Sequence, residues 1–211
     1  MYSPLATARL YGIVDLGYTA PGEVTSMTRK LIAGGVDILQ LRAKKLGESE
    51  IEKLAREMLP ITRDAGVPLV INDHLAVAAV VGSDGVHIGQ DDGTVAAARA
   101  VVGPSCFVGK STHSLAQAIA AQAEGADYIG FGPLYATGTK PDYTPIGLAD
   151  ITEAHRRVTV PIFCIGGVNQ ERLPEIITAG ATRVVIVSAF LLAADVIESV
   201  RQVKRALGME N

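Results

Sequence analysis

Two carboxylate-bearing stretches lie a short interval apart in this chain, Asn72-Asp73 and Gln90-Asp91-Asp92. Each closes an apolar run of strand type, and the run Leu75–Val81 between them reads as a helix. In a parallel α/β sheet the carboxyl ends of neighbouring strands share one rim. Asp73 and Asp92 would then face a common space, as hard oxygen ligands for Mg²⁺ and an anionic substrate. The plainer reading of both is helix capping, since Asp is a favoured N-cap and each precedes a helix. Asp91 competes with Asp92 for the second position, and spacing does not separate them.

Other strand ends carry polar groups of a compatible kind. Gln40 and Arg42 alternate out of an apolar strand, which points both toward one side, and Lys44 and Lys45 follow. Together they read as an anion clamp; as ordinary Lys and Arg they would belong to a solvated loop. Ser111-Thr112-His113 ends another strand, with helix capping again the plain alternative. Ser111 and His113 are sequence neighbours, which makes no case for a catalytic triad. His87 reads as a hydrogen-bonded core residue and His155 as a surface one, while His74 and His113 lie nearer the rim. Gly166-Gly167 before a helix offers backbone N–H groups suited to phosphate. The Gly/Pro-rich connection from Gly132 to Gly147 is long enough to be a binding loop, and its Thr137-Gly138-Thr139-Lys140 supplies hydroxyls and one cation. The rim thus holds two anion sites, one metal-assisted and one metal-free.

The elements that must position these groups alternate strand and helix with little interruption. Strands are predicted at Leu10–Val14, Asp37–Leu41, Pro68–Ile71, Gly85–Ile88, Phe107–Lys110, Tyr128–Phe131, Pro161–Ile165 and Arg183–Val187. Helices are predicted at Glu23–Ala33, from a Ser49 cap with Glu52 in the capping-box position to Ala65, and at Leu75–Val81. Others follow a Thr94 cap, then span Leu115–Ala123 on a Ser114 cap, Leu148–Arg157, Gln170–Thr178 and Val196–Leu207. A phrase recurs before several strands: Gly-Val-Asp at 35–37, Gly-Ser-Asp-Gly at 82–85, Gly-Ala-Asp at 125–127 and Gly-Ala-Thr at 180–182. It combines a glycine helix stop with a strand buried on both faces. Eight such units predict a single (β/α)₈ TIM barrel over residues 1–211, with an open doubly wound sheet as the alternative.

Composition narrows the function classes. The chain has 211 residues, 48% of them hydrophobic and 19% charged, which supports a sizeable core. A net charge of −3 without a Lys/Arg block argues against nucleic acid as a partner. Cys106 and Cys164 stand far apart in apolar runs, a pattern for neither zinc nor a disulfide framework. The N-terminus lacks a basic region followed by an apolar core, and no apolar run reaches the roughly 18 residues of a membrane span. A soluble cytoplasmic protein is expected. A homodimer would need an exposed apolar face that sequence alone does not locate.

The segments INDH (71–74), HIGQDD (87–92), STHS (111–114), YIGFGPLYATGTKP (128–141), IGGV (165–168) and VSAF (187–190), with QLRAK (40–44), follow one another in order over nearly the whole chain. In this combination the sequence resembles the thiamine-phosphate synthase, or thiamine-phosphate pyrophosphorylase, family. The resemblance implies a (β/α)₈ barrel transferase that joins hydroxymethylpyrimidine diphosphate to thiazole phosphate and releases diphosphate. It implies that Gln40, Leu41, Arg42, Ala43, Lys44, Asn72, Ser111 and Lys140 serve the pyrimidine diphosphate, with Arg42, Lys44, Lys140 and Ser111 catalytic. It places Thr137, Gly138, Thr139, Gly167, Val187 and Ser188 around the thiazole phosphate. Asp73 and Asp92, rather than Asp91, would hold Mg²⁺. The chain departs from the family pattern at His74, where Arg is usual, at Gly138, where a bulkier residue is common, and at Phe190 in place of Ile. Two rivals differ in chemistry. A thiazole tautomerase on this scaffold has no need of both aspartates, and a phosphate-binding regulatory barrel would show no Mg²⁺-dependent turnover.

Overall fold

In the computed structural model, which describes residues 3–138 and 143–209, eight short strands form one closed parallel barrel. They are β1 (Leu10–Asp15), β2 (Ile38–Arg42), β3 (Leu69–Asn72), β4 (Gly85–Ile88), β5 (Phe107–Thr112), β6 (Tyr128–Phe131), β7 (Ile162–Cys164) and β8 (Val184–Ile186). Each pairs with its sequence neighbour, and β8 closes on β1 through Leu10 opposite Val184. The helices are α1 (Ser3–Thr7), α2 (Val24–Gly34), α3 (Glu48–Asp64), α4 (Leu75–Val81), α5 (Val95–Val102), α6 (Leu115–Ala123), α7 (Ile151–Arg157), α8 (Leu173–Thr178), α9 (Ser188–Leu191) and α10 (Val196–Ala206). The expected TIM barrel is present, and the open sheet is excluded by the β8–β1 pairing.

Strand alternation divides the core in two. Outward residues such as Leu39, Leu41, Ile71, Val86, Val108, Ile129 and Ile186 pack into the layer between barrel and helices. Inward residues Tyr11, Ile13, Ile38, Val70, Phe107, Tyr128, Phe163 and Val185 fill the barrel, and Leu5 and Ala8, on and just after α1, pack against them. The barrel filling is fitted by size. A Cβ on Gly85 would lie 2.3 Å from the Phe107 ring, and one on Gly109 would lie 2.0 Å from the Tyr128 ring. These two glycines admit the aromatic side chains of the next strands, which meet edge to face: Phe107 and Tyr128 centroids are 5.9 Å apart at 67°.

The recurring Asp before strands has a second use besides following a helix stop. Asp37 Oδ2 accepts from the backbone N–H groups of Arg9 and Leu10, both at 2.8 Å, at the start of β1. Asp84 accepts from Leu69 N–H at 2.9 Å, and Asp127 from Val108 N–H at 2.7 Å. Each carboxylate therefore ties the foot of its own strand to the foot of the preceding one. Arg183 closes the ring differently, donating to Ala8 O and Ala6 O at 3.0 and 3.1 Å, and so fastens α1 to the barrel. All of this lies at the end of the barrel opposite the candidate site.

Several element ends differ from expectation. α3 starts one residue before Ser49: Gly47 is the N-cap and its N–H donates to Glu50 Oε2 at 3.3 Å. Glu52 lies two residues beyond the capping-box position, which is Glu50, and pairs with Arg56 instead. Helices at Leu148–Arg157 and Gln170–Thr178 shrink to Ile151–Arg157 and Leu173–Thr178. His155 is half-buried rather than on the surface. Burial and the nearby Arg183 charge hold its pKa below the usual histidine value. Thr94 and Ser114 cap α5 and α6 as the sequence predicts, through Oγ acceptors for Ala97 and Gln117 N–H.

Candidate active site

The inward positions change character toward the carboxyl ends of the strands. Above the aromatic filling stand Gln40 and Arg42 on β2, Asn72 on β3, His87 on β4 and Ser111 on β5, around a cavity of about 920 Å³ counted out to solvent. That volume suits small organic ligands. Leu41 and Ala43 alternate the other way and are buried in the outer layer, so only their backbone can serve a ligand in the cavity.

Asp73 and Asp92 converge at this rim, and neither caps a helix. The N-cap of α4 is His74, and that of α5 is Thr94. Asp73 sits at φ 63°, in the left-handed region that Asp and Asn tolerate better than most residues. Its carboxylate is ion-paired with Lys44 and lies against Asp92. Burial, and then the Asp92 charge, raise the pKa of Asp73, while Lys44 opposes both. Asp92 Oδ2 also accepts from Gly89 N–H at 2.8 Å. Among the described residues no group of three or more His, Cys, Asp or Glu gathers to hold a metal. Two adjacent carboxylates without histidine or thiolate suit a hard cation that completes its shell with water and ligand oxygens, as Mg²⁺ does.

Arg42 is aimed by a residue that sequence reasoning passed over. Its Nη1 donates to Asp15 Oδ2 at 2.6 Å, and Asp15, at the end of β1, is 2% exposed. Asp15 Oδ1 accepts from Gly17 N–H at 2.8 Å, which holds the loop after β1. Counting by twos from Tyr11 places Ile13 and Asp15 on the inward face, and that parity was the available signal.

A hydrogen-bonded chain crosses the cavity floor. Gln40 Nε2 donates to Tyr11 Oη at 2.8 Å, the Tyr11 and Tyr128 hydroxyls are 3.0 Å apart, and Tyr128 Oη lies 2.9 Å from His87 Nδ1. His87 Nε2 is 2.8 Å from Ser111 Oγ. One direction of donation satisfies every member: Gln40 to Tyr11, Tyr11 to Tyr128, Tyr128 to His87, and His87 Nε2–H to Ser111. Burial raises both phenol pKa values, so the hydroxyls stay protonated. His87 is hydrogen-bonded as expected, but it also borders the cavity and orients Ser111. Ser111 is not a cap, because Ser114 fills that role.

The opposite side of the cavity is made from backbone. Gly166 and Gly167 have φ of 96° and 67°, and a Cβ on Gly167 would lie 2.8 Å from Tyr135 Cβ. Without side chains, these two residues let a ligand approach the backbone closely. Arg172 Nη1 donates to Gly167 O at 2.9 Å and its guanidinium stands 4.4 Å from the Tyr135 ring centroid. The glycine pair does not open a helix as the sequence suggests, since α8 starts only at Leu173. The short helix α9 starts at Ser188 directly after β8, with Val187 as N-cap. Gly167, Val187, Ser188 and Thr137 all border the cavity. Gly138 is exposed near Tyr18, and Thr139 and Lys140 lie outside the described residues. His113 Nδ1 lies 2.5 Å from Gly132 O, and its ring is 4.6 Å from that of Tyr143 on the long connection. His74 stands 3.8 Å from Glu48 Oε1, off the cavity.

Comparison with known proteins follows the same lines. Residues 10–190 match the family model for thiamine monophosphate synthase. This chain belongs to the thiamine monophosphate synthase family. It is thereby a transferase of thiamine biosynthesis. The thiamine-phosphate synthase of Chloroflexus aurantiacus is 41% identical over 197 residues, covering 93% of this chain and 91% of the relative. That of Shouchella clausii is 38% identical over 189 residues, covering 89% and 90%. Thiamine phosphate pyrophosphorylase from Pyrococcus furiosus superposes with a TM-score of 0.87 at 28% identity, over 95% of this chain and 96% of that one. The (β/α)₈ barrel of the family and the one described above are thus one architecture.

Proposed function

We propose that the chain condenses hydroxymethylpyrimidine diphosphate with thiazole phosphate, carboxylated or not, to thiamine phosphate and diphosphate. The observation that carries the site assignment is the convergence of Asp73 and Asp92, neither spent on capping, with Lys44 ion-paired to Asp73. The proposal covers residues 1–211 as one barrel domain, acting in the cytoplasm on small molecules. Among the described residues, no helix is long and apolar enough to cross a membrane.

Mg²⁺, held by Asp73 and Asp92, would supply positive charge to the leaving diphosphate. Lys44, paired with Asp73, and Arg42, which borders the cavity and is aimed by Asp15, would meet the charge that develops as the methylene C–O bond breaks. Lys140 belongs to the same set by sequence. Gln40, Asn72 and Ser111 would orient the pyrimidine. The thiazole nitrogen then bonds to the methylene carbon. The pyrimidine ring spreads the positive charge left on that carbon, and no protein nucleophile takes part. Across the cavity, the Gly166-Gly167 turn with Thr137, Val187, Ser188 and the start of α9 would hold the thiazole phosphate, a placement common in this fold.

Mixing both substrates with and without EDTA, and following diphosphate release, tests the reading. Turnover that needs metal supports it, and EDTA-insensitive turnover removes Asp73 and Asp92 from the chemistry. The second site has its own test. Gly167→Ala forces a side chain into a left-handed position and disturbs N–H groups that would bind phosphate, worth about 1.5–3 kcal/mol for charged hydrogen bonds. The KM for thiazole phosphate should rise roughly 10- to 100-fold, with the pyrimidine KM near the parent value. A selective rise in the pyrimidine KM would show the two sites exchanged.

A further inference from the structure

Lys110 occupies an outward position on β5, where the neighbouring strands carry Val86, Ile88 and Ile129. It is 5% exposed. An ammonium in this apolar layer loses hydration that one partner repays only in part. Stability of the barrel is therefore a poor reason for a lysine at this position.

Its contacts suggest another. Lys110 Nζ donates to Glu124 Oε2 at 2.8 Å and to the backbone carbonyl of Gly93 at 3.3 Å. Glu124, at the end of α6, also accepts from the backbone N–H of Val95. One ion pair thus grips the chain on both sides of Thr94, immediately after Asp92. The segment needs such a grip, because residues 91–94 are all exposed and Gly93 has φ 105°. At the other end of this segment, Gly89 N–H holds the Asp92 carboxylate itself.

We infer that Lys110 and Glu124 form a clamp that positions Asp92 for metal binding from the far side of the barrel wall. The inference rests on the proposed role of Asp92 as a metal ligand. Mg²⁺ demands near-ideal octahedral geometry with short bonds, so a ligand on a loosened loop loses affinity steeply. Lys110 touches neither substrate nor metal and acts through the loop backbone, as a positioning residue. Loss of such outer supports typically weakens metal binding about 10- to 100-fold.

The test is calorimetric titration of Mn²⁺ in the presence of inorganic diphosphate, on the parent and on Asp92→Asn, Lys110→Met, Lys110→Arg and Glu124→Gln. Lys110→Met and Glu124→Gln should bind Mn²⁺ about 10- to 100-fold more weakly; Lys110→Met should melt close to the parent, and Glu124→Gln lower, because buried Lys110 loses its counter-charge. Diphosphate release should need correspondingly more Mg²⁺ yet approach the parental kcat at saturation, and Lys110→Arg should recover part of the affinity. Glu124→Gln keeps shape at a half-exposed position and serves if Lys110→Met fails to fold. Weak binding by Asp92→Asn with parental binding by the clamp variants overturns the clamp. Parental binding by Asp92→Asn overturns the metal assignment beneath it.

Discussion

Asp73→Asn and Asp92→Asn should each lower diphosphate release at millimolar Mg²⁺ by about two orders of magnitude, the scale of removing one electrostatic group from a reaction centre. The structure makes Asn a clean replacement at both positions. Asp73 lies at φ 63°, which Asn tolerates, whereas Ala there would add backbone strain. Neither side chain caps a helix, so no cap is lost. The amide oxygen that Asp92→Asn introduces can still accept from Gly89 N–H. Lys44 loses a charged partner when Asp73 is replaced, but it is 47% exposed and readily solvated. Burial and the Asp92 charge both raise the Asp73 pKa, so removing one of two facing charges should leave metal-free stability little changed. If both residues act through one ion, the double variant will fall far short of additive. Diphosphate release against Mg²⁺ concentration for the parent, both singles and the double decides the matter. Metal curves like the parent's in both singles would return these carboxylates to the surface and take the metal assignment with them.

The strands were legible because a parallel barrel buries both of their faces, so each reads as a short apolar run between glycine-rich stops. Elements too short for periodicity were not: α1 and α9 have five and four residues. Cap positions shifted where two candidates lay within one turn, as with Gly47 and Ser49. The site was legible as motif positions, and less so as directions. Leu41 and Ala43 belong to the motif run yet face the helix layer, since alternation decides where a side chain goes. Asp15 and the Tyr11–Tyr128–His87 chain went unnoticed for the converse reason. They stand within or at the end of apolar strands, and only the closed barrel shows that their inward parity brings them to Arg42 and Ser111.

Arg42→Ala is where this difference has the largest consequence. Read as a rim cation, Arg42 should be removable at little structural cost. Its partner Asp15 is 2% exposed, however, and the alanine variant leaves that carboxylate buried without its counter-charge. Breaking one side of a buried pair costs about 3–5 kcal/mol, so the single variant should lose both stability and activity, which alone would not show a catalytic role. Adding Asp15→Asn removes the orphaned charge and keeps an oxygen for Gly17 N–H. The double variant should regain most of the stability, measured by urea unfolding, while diphosphate release stays about 10²- to 10³-fold below the parent. Asp15→Asn alone should retain the cation but loosen its aim, and lower kcat by a smaller factor. Recovery of activity along with stability in the double variant would make Arg42 a structural partner of Asp15, and the diphosphate clamp would then rest on the lysines.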